Sequence, residues 1–316
     1  MHRKKTGTRN YFIIAVLSVL FFAAGYATTG EAAARIETLL VELIERGGEA
    51  AAKQLAEYTE RLPKDQLPLH FTPSQLDALI TLANSNSMYR WAFLYIFKDL
   101  AKRLPEELLS SYFTPIQTAI FFSWLNTDDR IHESCGNLLC KLALRLPDQY
   151  LPIYFTPLYA ETAVTAPVSE PNTNYKALLA ILAKRLTAEQ LPAYFAPQHV
   201  ASLISQASTN SNCGQNCDAT STALVARLPL DQLPSYFTPQ HVAALVIQLG
   251  TENDDGCNHA LVLRYIASRL PTYFTPDQVT LLALHMNIDT KQGAECVAVI
   301  GTLAARLPKH LLSMYF

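Results

Sequence analysis

The sequence has few glycines, few charged residues and none of the common catalytic motifs. Eleven glycines in 316 residues, beside abundant Leu and Ala, favour helices. Charged residues make up only 16% of the chain and hydrophobic residues 50%, which excludes an intrinsically disordered protein. Gly-x-Ser-x-Gly, His-Glu-x-x-His and glycine-rich phosphate loops are all missing, so no enzyme class is indicated and no cofactor or metal is expected. An enzyme whose site is assembled across several repeats is the weaker alternative.

The sequence does contain one repeated motif, here called the phrase. Arg-Leu-Pro is followed, usually after six residues, by Tyr-Phe-Thr-Pro, and Thr187 replaces the Pro in one copy. The arginines of the phrase are Arg61, Arg103, Arg145, Arg185, Arg227, Arg269 and Arg306, and the phenylalanines are Phe71, Phe113, Phe155, Phe195, Phe237, Phe274 and Phe316. The phenylalanines lie 42, 42, 40, 42, 37 and 42 residues apart. A fixed period of this size predicts a solenoid, in which each repeat buries its apolar face against its neighbours.

The Thr-Pro of the phrase predicts the start of a helix. Thr72 is a good N-cap, Pro73 suits the first helical position, and Gln75 completes a capping box. The same pattern stands at Thr114–Gln117 and Thr275–Gln278, whereas Thr238–His241 keeps the Thr and lacks the Gln. Ala196 has lost the hydroxyl, which predicts a weaker helix start in that repeat.

A second helix is predicted to end at each Arg-Leu-Pro, because the Pro disfavours helical geometry in the Leu before it. At Thr187 this stop signal is missing, so the helix is expected to run on slightly. Counting back from each Arg between Arg103 and Arg306, position −3 is a large apolar residue and position −2 is Ala or Val. The large residue predicts a core contact and the small one a close approach by a neighbouring helix.

This layout of helix, polar loop, helix and corner resembles HEAT and armadillo repeats in period and arrangement. The resemblance implies an all-α fold, a right-handed α-solenoid of two-helix repeats of about 42 residues. Three parts are predicted: a signal peptide or membrane anchor at 1–27, a capping helix pair at 28–62, and six repeats at 63–316 that end in a partial junction. Gly47-Gly48 is the predicted turn of the capping pair.

The amino terminus predicts export. A basic head precedes an uncharged apolar run at 11–24, which is the layout of a secretory signal peptide. An uncleaved anchor is the alternative, and it would be the only part of the chain to contact a membrane. Without this segment the chain has 21 basic and 27 acidic residues, a net charge of −6, so nucleic-acid binding is not expected. The predicted location is periplasmic or secreted, or anchored to the membrane.

Two repeated side chains are candidates for a site. The Arg is interpreted as structural, stabilising the carbonyl end of its own helix and pairing with acids such as Asp65, Glu106 or Asp231. The Phe is interpreted as a core residue, and the Tyr before it as the surface candidate because it has a polar tip. His199 and His241 are expected to be half-exposed surface residues.

The six cysteines favour disulfides in an exported chain. Cys213, Cys217 and Cys257 are the candidates, either as a Cys213–Cys217 bridge or as a bridge from one of the two to Cys257. A zinc site built from these three and His259 is the weaker alternative, because its spacing matches no common zinc pattern. Cys135, Cys217 and Cys296 share position −10, which other repeats fill with mostly apolar residues and which predicts a buried site.

The favoured hypothesis is an exported scaffold that binds another protein or a peptide along the concave face of the solenoid. The polar loops vary between repeats and are the predicted contact regions. Their candidate residues are Asn126, Asp128, Asp129, Asn212, Asn216, Asp254 and Asp255. The alternative is an anchored, structural envelope protein that self-associates as a homo-oligomer through an uncapped carboxyl end.

Overall fold

The protein is described by a computed structural model that covers residues 38–39, 49–85, 90–125, 131–166, 173–207, 211–249, 256–286 and 289–316. These residues are almost all in helices joined by short corners, and no β-strand occurs among them. The chain divides into two compact units between Tyr154 and Phe155. The predicted leader at 1–27 and the Gly47-Gly48 turn lie outside the described residues.

Each repeat has a first helix (A), a second helix (B) and a short corner. The A helices are α3 Pro73–Ser85, α6 Pro115–Leu125, α9 Pro157–Thr165, α12 Pro197–Ala207, α15 Pro239–Leu249 and α17 Pro276–Leu284. The B helices are α1 Glu49–Arg61, α4 Arg90–Arg103, α7 His132–Arg145, α10 Thr173–Arg185, α13 Ser211–Arg227, α16 Gly256–Arg269 and α18 Lys291–Arg306. The corner helices are α2 Leu67–His70, α5 Glu106–Tyr112, α8 Leu151–Tyr154, α11 Leu191–Tyr194, α14 Leu233–Tyr236 and α19 Lys309–Tyr315. A 3₁₀ turn at Pro271–Tyr273 forms the shortened corner, and another at Asp148–Tyr150 precedes α8.

The predicted two-helix repeats are therefore confirmed. Every A helix begins at the Pro of the phrase, because Pro suits the first helical position. Every B helix ends at the Arg. The α10 helix also ends there, at Arg185, so the predicted extension at Thr187 is wrong. The backbone N–H of Thr187, which a Pro would lack, donates to Gln190 Oε1 at 2.9 Å, so the corner forms without the Pro.

The core follows the repeat. The phenylalanines of the first six corners are 0–1% exposed, and the position −3 residues from Leu100 to Leu303 are all fully buried. Position −10 is buried too, as predicted, in Phe93, Cys135, Tyr175, Cys217, His259 and Cys296. These residues place one continuous row of apolar contacts along the A–B interface of each compact unit.

The B helices pack on one another in chain order within each unit. In the first unit α1 packs on α4 and α4 on α7, and in the second unit the order is α10, α13, α16 and α18. Ala101, Ala183 and Ala267 at position −2 are buried, consistent with the close helix approach predicted for this position. No described helix is long and apolar enough to cross a membrane.

Candidate functional site

The repeated Arg holds consecutive repeats together. Arg145 Nη1 donates to the Ala101 carbonyl and Nη2 to the Leu104 carbonyl, both at 2.7 Å. Both acceptors belong to the end of the preceding B helix, where four carbonyls lack a partner within the helix. Arg103 binds the Thr59 and Leu62 carbonyls in the same way.

The second unit repeats this contact. Arg227 Nη1 donates to the Ala183 carbonyl at 2.8 Å, and Arg269 Nη1 donates to the Val225 carbonyl at 2.6 Å. The structural interpretation of the Arg is supported, but its expected partners need correction: the Arg stabilises the carbonyl end of the preceding B helix, 41–44 residues away. The acid beside Arg103 is Asp99, at 2.8 Å on the same helix.

The repeated Tyr is buried in four repeats, where its prediction as a surface residue is wrong, and in several repeats it forms a second link to the preceding one. Tyr112, Tyr154, Tyr194 and Tyr236 are only 3–5% exposed. Tyr112 Oη donates to the Phe71 carbonyl at 2.5 Å, and Tyr315 Oη donates to the Phe274 carbonyl at 2.7 Å. Burial raises the pKa of the Tyr112 phenol above its ordinary value, so the hydroxyl stays a donor.

The predicted capping boxes are present at Thr72, Thr114 and Thr275. In the first, the Thr72 N–H donates to Gln75 Oε1 at 2.8 Å and the Gln75 N–H donates to Thr72 Oγ1 at 3.3 Å. Thr275 and Gln278 make the same two bonds. Each box satisfies two of the backbone donors that a helix start leaves free.

Histidine replaces the Gln in two repeats. The Ala196 N–H donates to His199 Nδ1 at 3.1 Å, and the Thr238 N–H donates to His241 Nδ1 at 3.3 Å. His199 is 9% exposed, so its expected place on the surface is wrong. The imidazole accepts the bond that the Gln side chain accepts in the other repeats, including the repeat in which Ala196 lacks the capping hydroxyl. This contact needs an Nδ1 without a proton.

The two His caps predict an acid-sensitive second unit. Burial lowers the pKa of the His199 and His241 imidazoles, with Glu161 opposing the effect at His199. The unfolded chain therefore binds protons more readily than the folded chain, so the stabilisation is complete above about pH 6.5 and is lost as the pH falls towards the lowered pKa values. Each lost capping bond should cost about 1 kcal/mol.

Urea unfolding at pH 7.5 and pH 5.5 measures this effect. A His199→Gln/His241→Gln double variant keeps both capping bonds and does not titrate, so it should lose less stability on acidification than the original chain. Equal losses in the two proteins would show that the caps do not contribute.

The structure does not support the predicted disulfides through Cys217. Cys135, Cys140, Cys217 and Cys296 are buried thiols. The α13 helix begins at Ser211, so Cys213 and Cys217 lie on one helix and not in the expected loop. Burial raises the pKa of the Cys140 thiol to about 12, which makes it a core residue of low reactivity. The side chains of Cys213 and Cys257 lie outside the described set.

His259, the fourth residue of the zinc hypothesis, has a different partner. Its Nδ1 lies 2.7 Å from Asp218 Oδ2, and the two side chains are only 4% and 3% exposed. The pair joins α16 to α13 inside the second unit. Among the side chains that the structure describes, no three potential metal ligands come together.

Lys176 was not predicted, and it is fully buried in α10. Its Nζ donates to the Ala163 carbonyl at 2.7 Å, to the Val164 carbonyl at 3.0 Å and to the Ala166 carbonyl at 3.3 Å. These carbonyls end helix α9, so the ammonium caps that helix and complements its dipole. The role is structural.

The predicted contact loops fall mostly outside the described residues. Asn126, Asp128, Asp129, Asp254 and Asp255 belong to that group. Asn212 and Asn216 lie within helix α13, so their assignment to a loop is wrong. The Asn216 carbonyl accepts a bond from Thr220 Oγ1 at 2.8 Å, as in a regular helix turn.

The surface that varies between repeats is the side of the B helices opposite the core, which we call the B face. It comprises positions −12, −8, −5, −4 and −1 from each Arg, about 200° around the helix from the buried positions −10 and −3. Cys140, Ala180 and Ala223 are buried members of this set. In the first unit a cleft of about 530 Å³ lies on this face between α1 and α4. Glu57, Glu60, Trp91, Tyr95 and Lys102 are among its lining residues. The Trp91 and Tyr95 rings contact edge to face, with centroids 6.2 Å apart.

A second cleft lies in the same position between α16 and α18. Its volume is about 570 Å³, and Arg264, Tyr265, Gly301 and Arg306 contribute to its lining. An added Cβ at Gly301 would meet no atom within 4 Å, so the cleft is open above this residue. The two clefts occupy equivalent positions of the repeat. At no equivalent position do they share a charged or an aromatic side chain.

No protein-family model matches the sequence, and no curated protein matches it. Solved helical-repeat structures do resemble it. One engineered protein is 17% identical with a TM-score of 0.64, over 85% of this chain and 68% of its own. A second is 16% identical with a TM-score of 0.58, over 73% and 96%. A designed armadillo repeat protein in complex with the peptide (KR)4 is 10% identical with a TM-score of 0.51, over 79% and 98%. These similarities show the α-solenoid repeat fold.

Proposed function

We propose that the protein is a scaffold that binds peptides or extended protein segments on the B face. One observation carries the proposal: clefts recur at one position of the repeat, while their lining changes from repeat to repeat. A repeat protein recognises a partner in this way, with a constant frame and a variable surface.

Most of the residues that recur from repeat to repeat are explained by the frame. The side chains that bind carbonyls of the preceding repeat are Arg103, Arg145, Arg227, Arg269, Tyr112, Tyr154 and Tyr315, and the Phe side chains of the first six corners are buried. The variable residues of the B face, which are not part of this frame, are therefore the candidates for recognition of a partner. The designed armadillo repeat protein with this fold was solved with a bound peptide, which makes a peptide a reasonable occupant here.

A selection against the full chain tests the proposal. A random 12-residue peptide library is displayed on phage, and enriched sequences are synthesised and measured by fluorescence anisotropy. Tyr95→Ala and Gly301→Trp change the two clefts without removing a frame contact. At least one should weaken the selected peptides by about tenfold or more, which is about 1.4 kcal/mol.

Ile247→Ala is the matched control, since Ile247 is 68% exposed on the A helix α15 and lies off the B face. Its affinity should equal that of the original chain. If no peptide is enriched, or if the control loses as much affinity as the cleft variants, peptide binding on the B face is wrong.

Export is a separate part of the proposal, supported by the basic head and apolar run of the first 27 residues. Self-association, anchored or not, is the second candidate function. Three apolar residues favour it, because they are 76%, 62% and 59% exposed: Leu284 on α17, Met314 on α19 and Phe316 directly after α19. Light scattering over a range of concentrations measures the mass, and a monomer throughout would contradict this candidate.

A further inference from the structure

The B face of the second unit carries no negative charge. Its positions −12, −8, −5, −4 and −1 in α10, α13, α16 and α18 hold 20 residues, of which only Lys184 and Arg264 are charged. Most of the others are small or apolar. The same positions of the first unit include the acids Glu57, Glu60 and Asp99. The two units therefore present different chemistry on the same face of the repeat.

The α16–α18 cleft adds a third cation, Arg306, to this surface. Arg264 and Arg306 both line it, and no carboxylate does. The Arg264 side chain is 49% exposed, and its Nη1 lies 3.4 Å from Oε2 of Glu295, which does not line the cleft. Arg306 is exposed. Guanidinium groups bind carboxylates through parallel hydrogen bonds, so the cleft favours an anionic ligand.

The rest of the cleft is suited to an apolar side chain. Tyr265 is 38% exposed, and Ala298, Gly301 and Ala305 line the cleft on α18. Because nothing lies within 4 Å of an added Cβ at Gly301, a ligand side chain can reach the helix backbone there. Small residues and an aromatic ring next to cations suit a ligand that alternates carboxylates with apolar groups.

We propose that the α16–α18 cleft binds an acidic peptide segment, with an Asp or Glu carboxylate between Arg264 and Arg306 and an adjacent apolar side chain over Gly301. The inference rests on the proposed function and names the ligand class for the second unit. The negative net charge of the chain without its leader would not attract such a segment, so recognition depends on this local surface.

Two labelled, end-capped probes test the inference with the full chain: the acidic peptide (Glu-Leu)4 and the basic peptide (Lys-Leu)4. Fluorescence anisotropy should show that the acidic probe binds more tightly, with an affinity that falls as salt is added. Arg264→Gln/Arg306→Gln should weaken the acidic probe by about tenfold or more. Gly301→Trp fills the cleft and should weaken it similarly, with circular dichroism confirming the fold.

The charge-matched control is Lys291→Gln/Lys309→Gln, since both lysines are exposed and neither lines the cleft. An equal loss in this control, or tighter binding of the basic probe, would overturn the inference. If phage-selected peptides bind but the acidic probe does not, this inference fails and the proposed function stands. If neither binds, both fail.

Discussion

Replacing Phe195 with Ala is expected to lower the free energy of unfolding by about 3–5 kcal/mol. Phe195 is fully buried, and its N–H donates to the Leu191 carbonyl at 2.9 Å at the end of the corner helix α11. The side chain therefore joins a corner to the core of the second unit. Truncation removes its burial and leaves a cavity that the packed helices around it fill only in part.

Phe316→Ala is the matched control for this variant, because Phe316 belongs to the same phrase but is 59% exposed. It should change stability by less than about 1 kcal/mol. Urea unfolding followed by circular dichroism measures both variants, and hydrogen exchange locates the loss. Similar losses from Phe195→Ala and Phe316→Ala would contradict the assignment of the Phe to the core.

Arg145→Ala is expected to cost about 2–3 kcal/mol, since it removes two charge-assisted hydrogen bonds. The Ala101 and Leu104 carbonyls lose their partner at the end of helix α4. Amide exchange should rise at the α4–α7 contact before it rises elsewhere, because repeat proteins are stabilised by contacts between neighbours. Arg145→Lys should recover only part of the lost stability. The Lys ammonium is a single compact donor group, whereas the Arg guanidinium donates to both carbonyls at once.

Arg61→Ala is the control for the Arg. Its side chain is 80% exposed, and its nearest acid, Glu57, is 3.9 Å away, so the change should cost less than about 0.5 kcal/mol. If Arg61→Ala destabilises the chain as much as Arg145→Ala, the effect comes from the charge at the helix end and not from the contact between repeats.

The sequence was sufficient for the features that depend on neighbouring residues. The Thr-Pro-x-Gln pattern predicted the capping boxes at Thr72, Thr114 and Thr275, because cap and acceptor lie three residues apart. The Arg-Leu-Pro predicted where each B helix ends. The period predicted the solenoid, because each repeat can bury its apolar face only against another.

The features that depend on distant residues were not predicted. Arg145 and Tyr112 bind carbonyls 41–44 residues back in the chain, and no local pattern shows which carbonyl a side chain will reach. The His caps had a visible signal, since His199 and His241 occupy the place of the Gln in other repeats. Lys176 had no such signal. Its hydrogen-bond acceptors are backbone carbonyls, and these are free to accept only because helix α9 ends there.

The clefts of the B face had no signal in the sequence, and most of the loop residues predicted to contact a partner lie outside the described part of the chain. The burial of Tyr112 and Tyr154 removes the aromatic residues of the phrase from the surface. The residues that line the clefts occupy equivalent positions of the B helices but differ in type from repeat to repeat. Only the packing of consecutive B helices brings these residues together.

The central claim is that repeated residues form the frame and the B face binds the partner. The most direct test is a cross-linking footprint with a selected peptide that carries a photoreactive group, mapped by mass spectrometry on the full chain. The account predicts cross-links at positions −12, −8, −5, −4 and −1 of the B helices, including Tyr95 or Tyr265. Cross-links confined to the A helices or to the corners would contradict it.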